Sequence, residues 1–295
     1  MSGEEFEKYQ KDVNGDKSFQ QFYEKEEDFQ KKLEEIIEKT LRAGQLLTVG
    51  TKQTAKSTAN MWLLKTMMEM EMHKTQEIKT IIFDTVLNFR YNFNAVPYID
   101  HSKLRYLPIV RDLIIDLPYT NIKRSRNAIG EILKEEFVKK HQLKEKFEGQ
   151  VPFTSLFLLE EIQNIFGTYS LSGTAGQFFL KMFSECMNYR IAIWGITQRC
   201  ADVATKVLER SEFYLIGKLT GDNDLKKIAR VTTKQVAEKV KSLSRGEFIF
   251  WNRDQSETID LVYFPKFKQT SKPYPYKEAE RKNGRGYIKR IFLGS

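Results

Sequence analysis

The sequence predicts an α/β domain in which a mostly parallel β-sheet is flanked by helices. From Gln45 onward, short apolar runs alternate with segments of helical periodicity, the pattern of parallel strands joined by crossover helices. Polar motifs follow several of these runs directly, so functional groups are expected where strands end. Two alternating segments near the end, residues 247–251 and 258–264, predict a C-terminal β-hairpin.

Composition sets the class of protein. The 295 residues are 41% hydrophobic and 13% aromatic, enough for a large core, which excludes global disorder. No apolar run approaches the roughly 18 to 20 residues of a membrane span, and the acidic N-terminus lacks the apolar segment of a secretory signal. We therefore expect a soluble, cytoplasmic protein. Cys186 and Cys200 stand in no metal or disulfide motif.

Charge is distributed unevenly along the chain. The formal net charge is +9, yet residues 1–40 carry 7 Lys/Arg against 12 Asp/Glu, whereas residues 265–295 carry 9 against 2. A basic body with a basic tail suits an anionic polymer, because Lys and Arg displace counterions from phosphates. A basic protein that is merely soluble explains the charge about equally well.

The chain divides into three predicted segments. In residues 1–44, apolar side chains at helical spacing predict one amphipathic helix over residues 18–42, packed on the main domain or on a neighbouring subunit. Residues 45–264 form the predicted main α/β domain, and residues 265–295 a basic, extended tail. Within the domain, strands are predicted at residues 45–49, 80–83, 113–117, 155–159, 190–196 and 213–219, and helices at 56–72, 125–147, 176–189, 201–210 and 233–243.

The sharpest motif follows the first strand. It matches the phosphate-loop pattern GxxxxGK[ST], with an apolar helix after it, and predicts an ATP site formed by Gly50, Thr51, Lys52, Gln53, Thr54, Ala55, Lys56, Ser57 and Thr58. Backbone N–H groups of such a turn and the helix N-terminus bind phosphate oxygens. Lys56 is expected to reach the β- and γ-phosphates, and the Ser57 hydroxyl to ligate Mg²⁺.

Ala55 departs from this pattern, which has glycine at that position. If the backbone there needs a positive φ, alanine costs about 1 kcal/mol, and if it is right-handed the cost is small. The alternative interpretation is an ordinary strand–turn–helix in which Lys56 and Ser57 occur by chance.

A second motif supplies paired carboxylates. The apolar strand at residues 155–159 runs directly into Glu160 and Glu161, at the strand end where α/β sheets bind ligands. We expect Glu160 to hold Mg²⁺, directly or through water, and Glu161 to orient the attacking water or accept its proton. The alternative is that both acids cap the following helix.

A third signal comes later in the chain. A strand ends in Thr197-Gln198-Arg199, and after a helix and another strand comes the segment 220–225, TGDNDL. With the loop at residues 50–57 and the acids at 160 and 161, this order resembles the FtsK–HerA superfamily of DNA-pumping ATPases over about residues 45–264. The resemblance implies a RecA-like P-loop NTPase fold. Cys200 departs from the family, which usually has proline there.

The resemblance also implies roles for individual residues. Gln198, on a strand between the two motif strands, looks like the sensor of γ-phosphate or attacking water. Arg199 could stabilise transition-state charge, in its own site or across a subunit interface, and Arg190 and Arg210 are the other candidates for a trans-acting arginine. Asp84 looks like the acid that closes the second strand, although a structural role suits it equally. A homohexameric ring is implied by the resemblance alone.

The function predicted from all of this is an ATP-driven translocase of double-stranded DNA, with genome packaging into a virion as its use and a capsid protein as a partner. A conjugation-like motor for plasmid DNA, working with a transfer apparatus, is one alternative. A P-loop switch or assembly factor that does not move DNA is another, and a basic DNA-binding protein with an accidental P-loop is a third.

Overall fold

The computed structural model describes residues 17–75, 77–85, 87–93, 96–104, 112–117, 122–167, 173–255 and 259–267. In this part of the chain a single sheet contains nine strands, in the order β3-β4-β2-β5-β6-β1-β7-β8-β9. They are β1 Gln45–Val49, β2 Ile78–Asp84, β3 Tyr98–Asp100, β4 Leu113–Asp116, β5 Thr154–Glu160, β6 Ile191–Thr197, β7 Phe213–Ile216, β8 Glu247–Asn252 and β9 Asp260–Tyr263.

The sheet is parallel from β3 to β7, and the last two strands are antiparallel. The central strands are buried on both faces, which explains their continuous apolar runs. The mostly parallel α/β sheet and the C-terminal hairpin of β8 and β9 confirm the predicted fold class. The basic tail lies outside the described residues from 268 onward.

Helices cover both faces of the sheet. They are α1 Lys17–Phe22, α2 Glu26–Ala43, α3 Lys56–Glu69, α4 Glu71–Lys74, α5 Asn88–Asn92, α6 Ile122–Lys146, α7 Gln163–Phe166, α8 Gly173–Glu185, α9 Thr205–Arg210, α10 Asp222–Val231 and α11 Lys234–Lys239. One core cluster joins the sheet to α2 and α3, and a second joins its other face to α6 and to α8 through α11. The carboxyl ends of the parallel strands share one edge of the sheet, which is where ligands bind in open α/β sheets.

The N-terminal prediction of one helix over residues 18–42 is wrong in one respect. The structure breaks it into α1 and α2, with Lys25 in an extended conformation. Asp28 accepts a hydrogen bond from the Lys25 N–H at 3.1 Å and starts α2 anew. Between the helices, the Tyr23 hydroxyl donates to the carbonyl oxygen of Tyr263 on β9. The apolar periodicity runs through the break, because the helices pack on one face.

Four of these helices and strands were not predicted, among them α7, which has only four residues. Helix α5 has five residues and β3 has three, too few to show a period. Helix α10 is different, since its two first-turn acids and its buried Ile228 and Val231 are a recognisable helical pattern. No helix in the described part of the chain combines the length and apolar character that a membrane crossing requires.

Candidate nucleotide site

Strand order brings the three sequence motifs to one edge of the sheet. Strand β6 pairs with β1 on one side and with β5 on the other, so the strand ending in Gln198 lies between the phosphate-loop strand and the acidic strand. Because all three strands are parallel, their carboxyl ends face the same way. Lys56, the paired acids and Gln198 therefore converge, although more than one hundred positions separate Lys56 from the acids in sequence.

The loop after β1 is braced by the segment that follows β7. The Thr51 N–H donates to the carbonyl oxygen of Lys218 at 2.9 Å, and the Thr51 hydroxyl donates to the same oxygen. Inside the loop, the Thr54 hydroxyl donates to the carbonyl oxygen of Thr51. A Cβ on Gly50 would lie 2.7 Å from that Thr54 hydroxyl oxygen, so this position needs glycine for space. These hydrogen bonds fix the shape of the loop.

Ala55, the departure from the phosphate-loop pattern, lies in the left-handed region with φ 72° and ψ 27°. This conformation costs an L-residue about 1 kcal/mol or more, so the question left open by the sequence is answered in favour of strain. Gln53, two residues earlier, has φ 69°. The loop at residues 50–57 therefore adopts left-handed backbone at two positions, neither of which is glycine.

We expect Ala55→Gly to raise the free energy of unfolding by about 0.5 to 1 kcal/mol, because relief of strain exceeds the entropy lost by glycine. Chemical denaturation of the two proteins measures the difference. Ala229→Gly is the matched control. Ala229 lies within α10, where glycine should lower the free energy of unfolding by about 1 kcal/mol. Equal destabilisation by both substitutions would contradict a strained Ala55.

Lys56 begins α3, and its side chain turns inward. Its Nζ donates to the carbonyl oxygen of Thr51 at 2.8 Å, across the loop. Burial lowers the pKa of Lys56 to about 8, and the nearby carboxylates of Glu161 and Glu160 oppose this shift. The ammonium group is thus close enough to both acids to interact with them electrostatically. Lys52 and Gln53, by contrast, have exposed side chains and can contribute to a site through their backbone N–H groups.

The residues proposed to hold Mg²⁺ lie together. The Ser57 hydroxyl is 3.4 Å from Oε1 of Glu160, a carboxylate that is 5% exposed. Its second oxygen, Oε2, is buried and has no hydrogen-bond partner in the described residues. Burial, and then the neighbouring Asp84 carboxylate, raise the pKa of Glu160 to about 9. A buried, unsatisfied carboxylate oxygen beside a second carboxylate fits a divalent cation, which prefers oxygen ligands.

Asp84 ends β2 next to Glu160 and also has a structural task. Its two carboxylate oxygens accept the backbone N–H groups of Asn88 at 2.9 Å and Arg90 at 2.7 Å, and so fix the start of α5. Arg90 in turn donates to Asp116, the residue paired with Asp84 on β4. Both roles that the sequence left open for Asp84 are compatible with this position, since it caps a helix while facing the proposed metal ligand.

Glu161 is held by two glutamine amides. Gln198 donates through Nε2 to Oε1 of Glu161 at 2.7 Å, and Gln163 donates to Oε2 at 2.5 Å. The Glu161 backbone has φ 55°, which turns the chain sharply at the end of β5. The two acids therefore differ in environment, because Glu160 is buried beside Asp84 whereas Glu161 is bonded to neutral donors near the surface.

The turn after Gln198 and Arg199 is fixed by α10, the helix formed by the third motif. Asp224 accepts the backbone N–H of Ala201 at 2.8 Å, and the Cys200 thiol also donates to its carboxylate. Burial and Asp224 raise the pKa of Cys200. Lys227 donates to two carbonyl oxygens of the same turn. Cys200 stands where the family that the sequence resembles usually has proline, and here its thiol is a buried donor to α10. Asp224 belongs to the third motif, but its contact with this turn was not recognisable from the sequence.

The three candidate arginines are placed differently. Arg190 lies at the opposite end of β6 from Gln198 and donates to Thr154 and to the carbonyl oxygen of Val151. Arg210 donates to the carbonyl oxygen of Leu180 and to Ser184. The Arg199 guanidinium is exposed and has no hydrogen-bond or ion-pair partner in the part of the chain that the structure describes. Of the three arginines, Arg199 is thus the one whose guanidinium has no contact within the described residues to break.

The fold defines a class of protein, the α/β P-loop NTPases. The structure is similar to that of the genome packaging NTPase B204 from Sulfolobus turreted icosahedral virus 2 in complex with ATP-gammaS. The TM-score is 0.53 and the identity 18%, over 75% of this chain and 97% of that one. This likeness covers nearly all of the viral protein.

Two larger proteins share the fold. ATPases 2 and 3 of EssC from Geobacillus thermodenitrificans match 86% of this chain with a TM-score of 0.52 and 11% identity, and the match spans 45% of that chain. The cytoplasmic domain of the Type VII secretion ATPase EccC from Thermomonospora curvata matches 80% with a TM-score of 0.51 and 14% identity, spanning 26% of that chain. No protein-family model matches the sequence, and no curated protein matches it. The neighbours are described as an NTPase and as ATPases, and what they show of this chain is its fold.

Proposed function

We propose that the chain is an ATP-driven translocase of double-stranded DNA that serves genome packaging into a virion. The observation that carries the proposal is the convergence of Lys56, Ser57, Glu160, Glu161 and Gln198 at one edge of the sheet. A triphosphate bound by the N–H groups at the start of α3 would meet the Lys56 ammonium on one side and the acids on the other.

The proposed reaction is hydrolysis of the γ-phosphate. Glu161 orients a water molecule and takes its proton as the water oxygen bonds to phosphorus, while the bond to the β–γ bridging oxygen breaks and ADP leaves. Gln198 contacts the γ-phosphate or the water, and Arg199 stabilises transition-state charge, from its own subunit or from a neighbour. Ser57 and Glu160 would hold Mg²⁺, which supplies neutralising charge at the phosphates.

The DNA partner is supported by two independent observations. The net charge of +9 fits a polyanion, although it does not specify one. The similar viral protein B204 is a genome packaging NTPase, and it is matched over nearly its whole length. A homohexameric ring around DNA and a capsid partner belong to this proposal. Plasmid DNA transfer would use the same site and the same substrate.

The test compares ATP turnover with and without duplex DNA. We expect duplex DNA to stimulate phosphate release severalfold. The stimulation should fall steeply as salt is added, because DNA binding releases counterions from the phosphates and a higher salt concentration opposes that release. The DNA concentration for half-maximal stimulation should rise by at least about a hundredfold between roughly 50 and 200 mM salt. Glu161→Gln protein serves as the control for contaminating ATPases. Turnover that is indifferent to DNA would favour a nucleotide-dependent switch or assembly factor.

A further inference from the structure

Gln163 contacts the proposed catalytic carboxylate from the side opposite to Gln198. It is the first residue of α7, two positions after Glu161, and its Nε2 lies 2.5 Å from Oε2. Gln198, from the end of β6, takes the other oxygen at 2.7 Å. The Gln163 amide thus comes from the turn that follows β5, and the Gln198 amide comes from the end of the neighbouring strand. Each carboxylate oxygen of Glu161 accepts one of these hydrogen bonds.

The backbone beneath this carboxylate is fixed by the core. Ile162 is fully buried, and its N–H donates to the carbonyl oxygen of Ile196 on β6 at 2.9 Å. Gly195 makes room for it, because a Cβ there would overlap the Ile162 side chain. The burial of Ile162 therefore holds the Glu161 backbone in its left-handed conformation. What remains free to rotate is the Glu161 side chain, and the two amides restrict it.

The Gln163 amide is oriented at a cost. A carboxylate can only accept hydrogen bonds, so the NH₂ group must face Glu161. The amide oxygen, Oε1, is then buried, and it has no hydrogen-bond partner among the described residues. An unsatisfied buried carbonyl destabilises the fold. This cost is unexpected for a residue that serves packing alone, since an apolar side chain of the same size would avoid it.

We propose that Gln163 is a positioning residue that keeps Glu161 aimed during catalysis, an inference that rests on the proposed ATPase function. Gln198 is exposed, and its proposed contact with γ-phosphate or water would draw its amide away from Glu161. Gln163 has no such second task, and its place two residues along the same turn keeps it beside Oε2 throughout. The two glutamines thus have different roles, since Gln198 contacts the nucleotide or the water and Gln163 holds the Glu161 carboxylate in place.

The test replaces Gln163 by methionine, which keeps the volume and removes the donor. We expect kcat for ATP hydrolysis to fall about tenfold to hundredfold, because a misplaced general base loses its near-attack geometry, while KM for ATP changes less than about twofold. Gln235→Met is the matched control, since Gln235 is exposed on α11 and should leave both constants unchanged. If the methionine variant does not fold, Gln163→Asn, with its shorter reach, should show the same loss of kcat.

A double-mutant cycle separates positioning from a general structural effect. In the Glu161→Gln background, Gln163→Met should cause no further loss, because there is no carboxylate left to aim. Losses that multiply, or a Gln163→Met enzyme as fast as the native protein, would overturn the inference. Failure of the proposed function is distinguishable, since the native protein would then show no turnover that Glu161→Gln removes.

Discussion

Glu161→Gln is expected to abolish ATP turnover while leaving ATP binding in place. The amide cannot accept a proton from water, and general-base catalysis contributes typically about 10²- to 10⁴-fold, so kcat should fall by at least about a hundredfold. The substitution keeps the shape of the side chain. It also lies outside the loop at residues 50–57, so the dissociation constant for ATP should change by less than about threefold.

Steady-state phosphate release and equilibrium binding of a fluorescent ATP analogue measure the two effects. Glu131→Gln is the matched control, because Glu131 is exposed on α6 and the same substitution there should change neither quantity. A Glu161→Gln protein that keeps a third of native turnover would show that the carboxylate is not the base. In that case the hydrogen bonds to Gln163 and Gln198 would be structural.

Lys56→Ala is expected to have the largest effect on nucleotide binding. Loss of a charged hydrogen bond of about 1.5 to 3 kcal/mol predicts a dissociation constant for ATP that rises by roughly tenfold to a hundredfold. The fold should survive, since the buried ammonium is costly to keep. Burial lowers its pKa to about 8, and its present acceptor is a loop carbonyl.

Lys52→Ala is a stringent control for this experiment. Lys52 belongs to the same loop and bears the same charge, but its side chain is exposed, so ATP affinity should change by less than about twofold. Titration calorimetry gives both constants, and thermal unfolding shows whether each variant is folded. Equal losses in the two variants would indicate a general charge effect, and unchanged affinity in Lys56→Ala would remove the phosphate-loop interpretation altogether.

Local sequence patterns contained the parts of the proposed site. The loop at residues 50–57 and the acids at 160 and 161 were recognisable because strand, turn and helix each follow from contiguous residues. The resemblance to the FtsK–HerA superfamily also implied that the strand ending in Gln198 lies between the other two, and the sheet has that order. The apolar face of the N-terminal segment was visible too, but its break at Lys25 was not, since a local cap decides it.

Contacts that depend on backbone conformation or on helix packing were not recognisable from one sequence. Gln163 has no motif of its own, and it is the positive φ of Glu161 that turns its amide toward the carboxylate. Asp224 belonged to a suspected motif, but its bond to the turn after Arg199 depends on how α10 packs. Likewise, the sequence could state the cost of a left-handed Ala55 but could not establish the conformation, which the loop's bond to Lys218 helps to fix.

The sequence by itself thus determined the fold class and the chemical groups offered at the strand ends, because hydrophobic periodicity and turn chemistry are local properties. Tertiary structure decided which of those groups meet. It placed Glu160 against Asp84 in a buried setting and left Glu161 bonded to two amides, so identical side chains acquired different environments. The physical reason is that burial and hydrogen-bond geometry depend on strand register and helix packing, which join residues far apart in the chain.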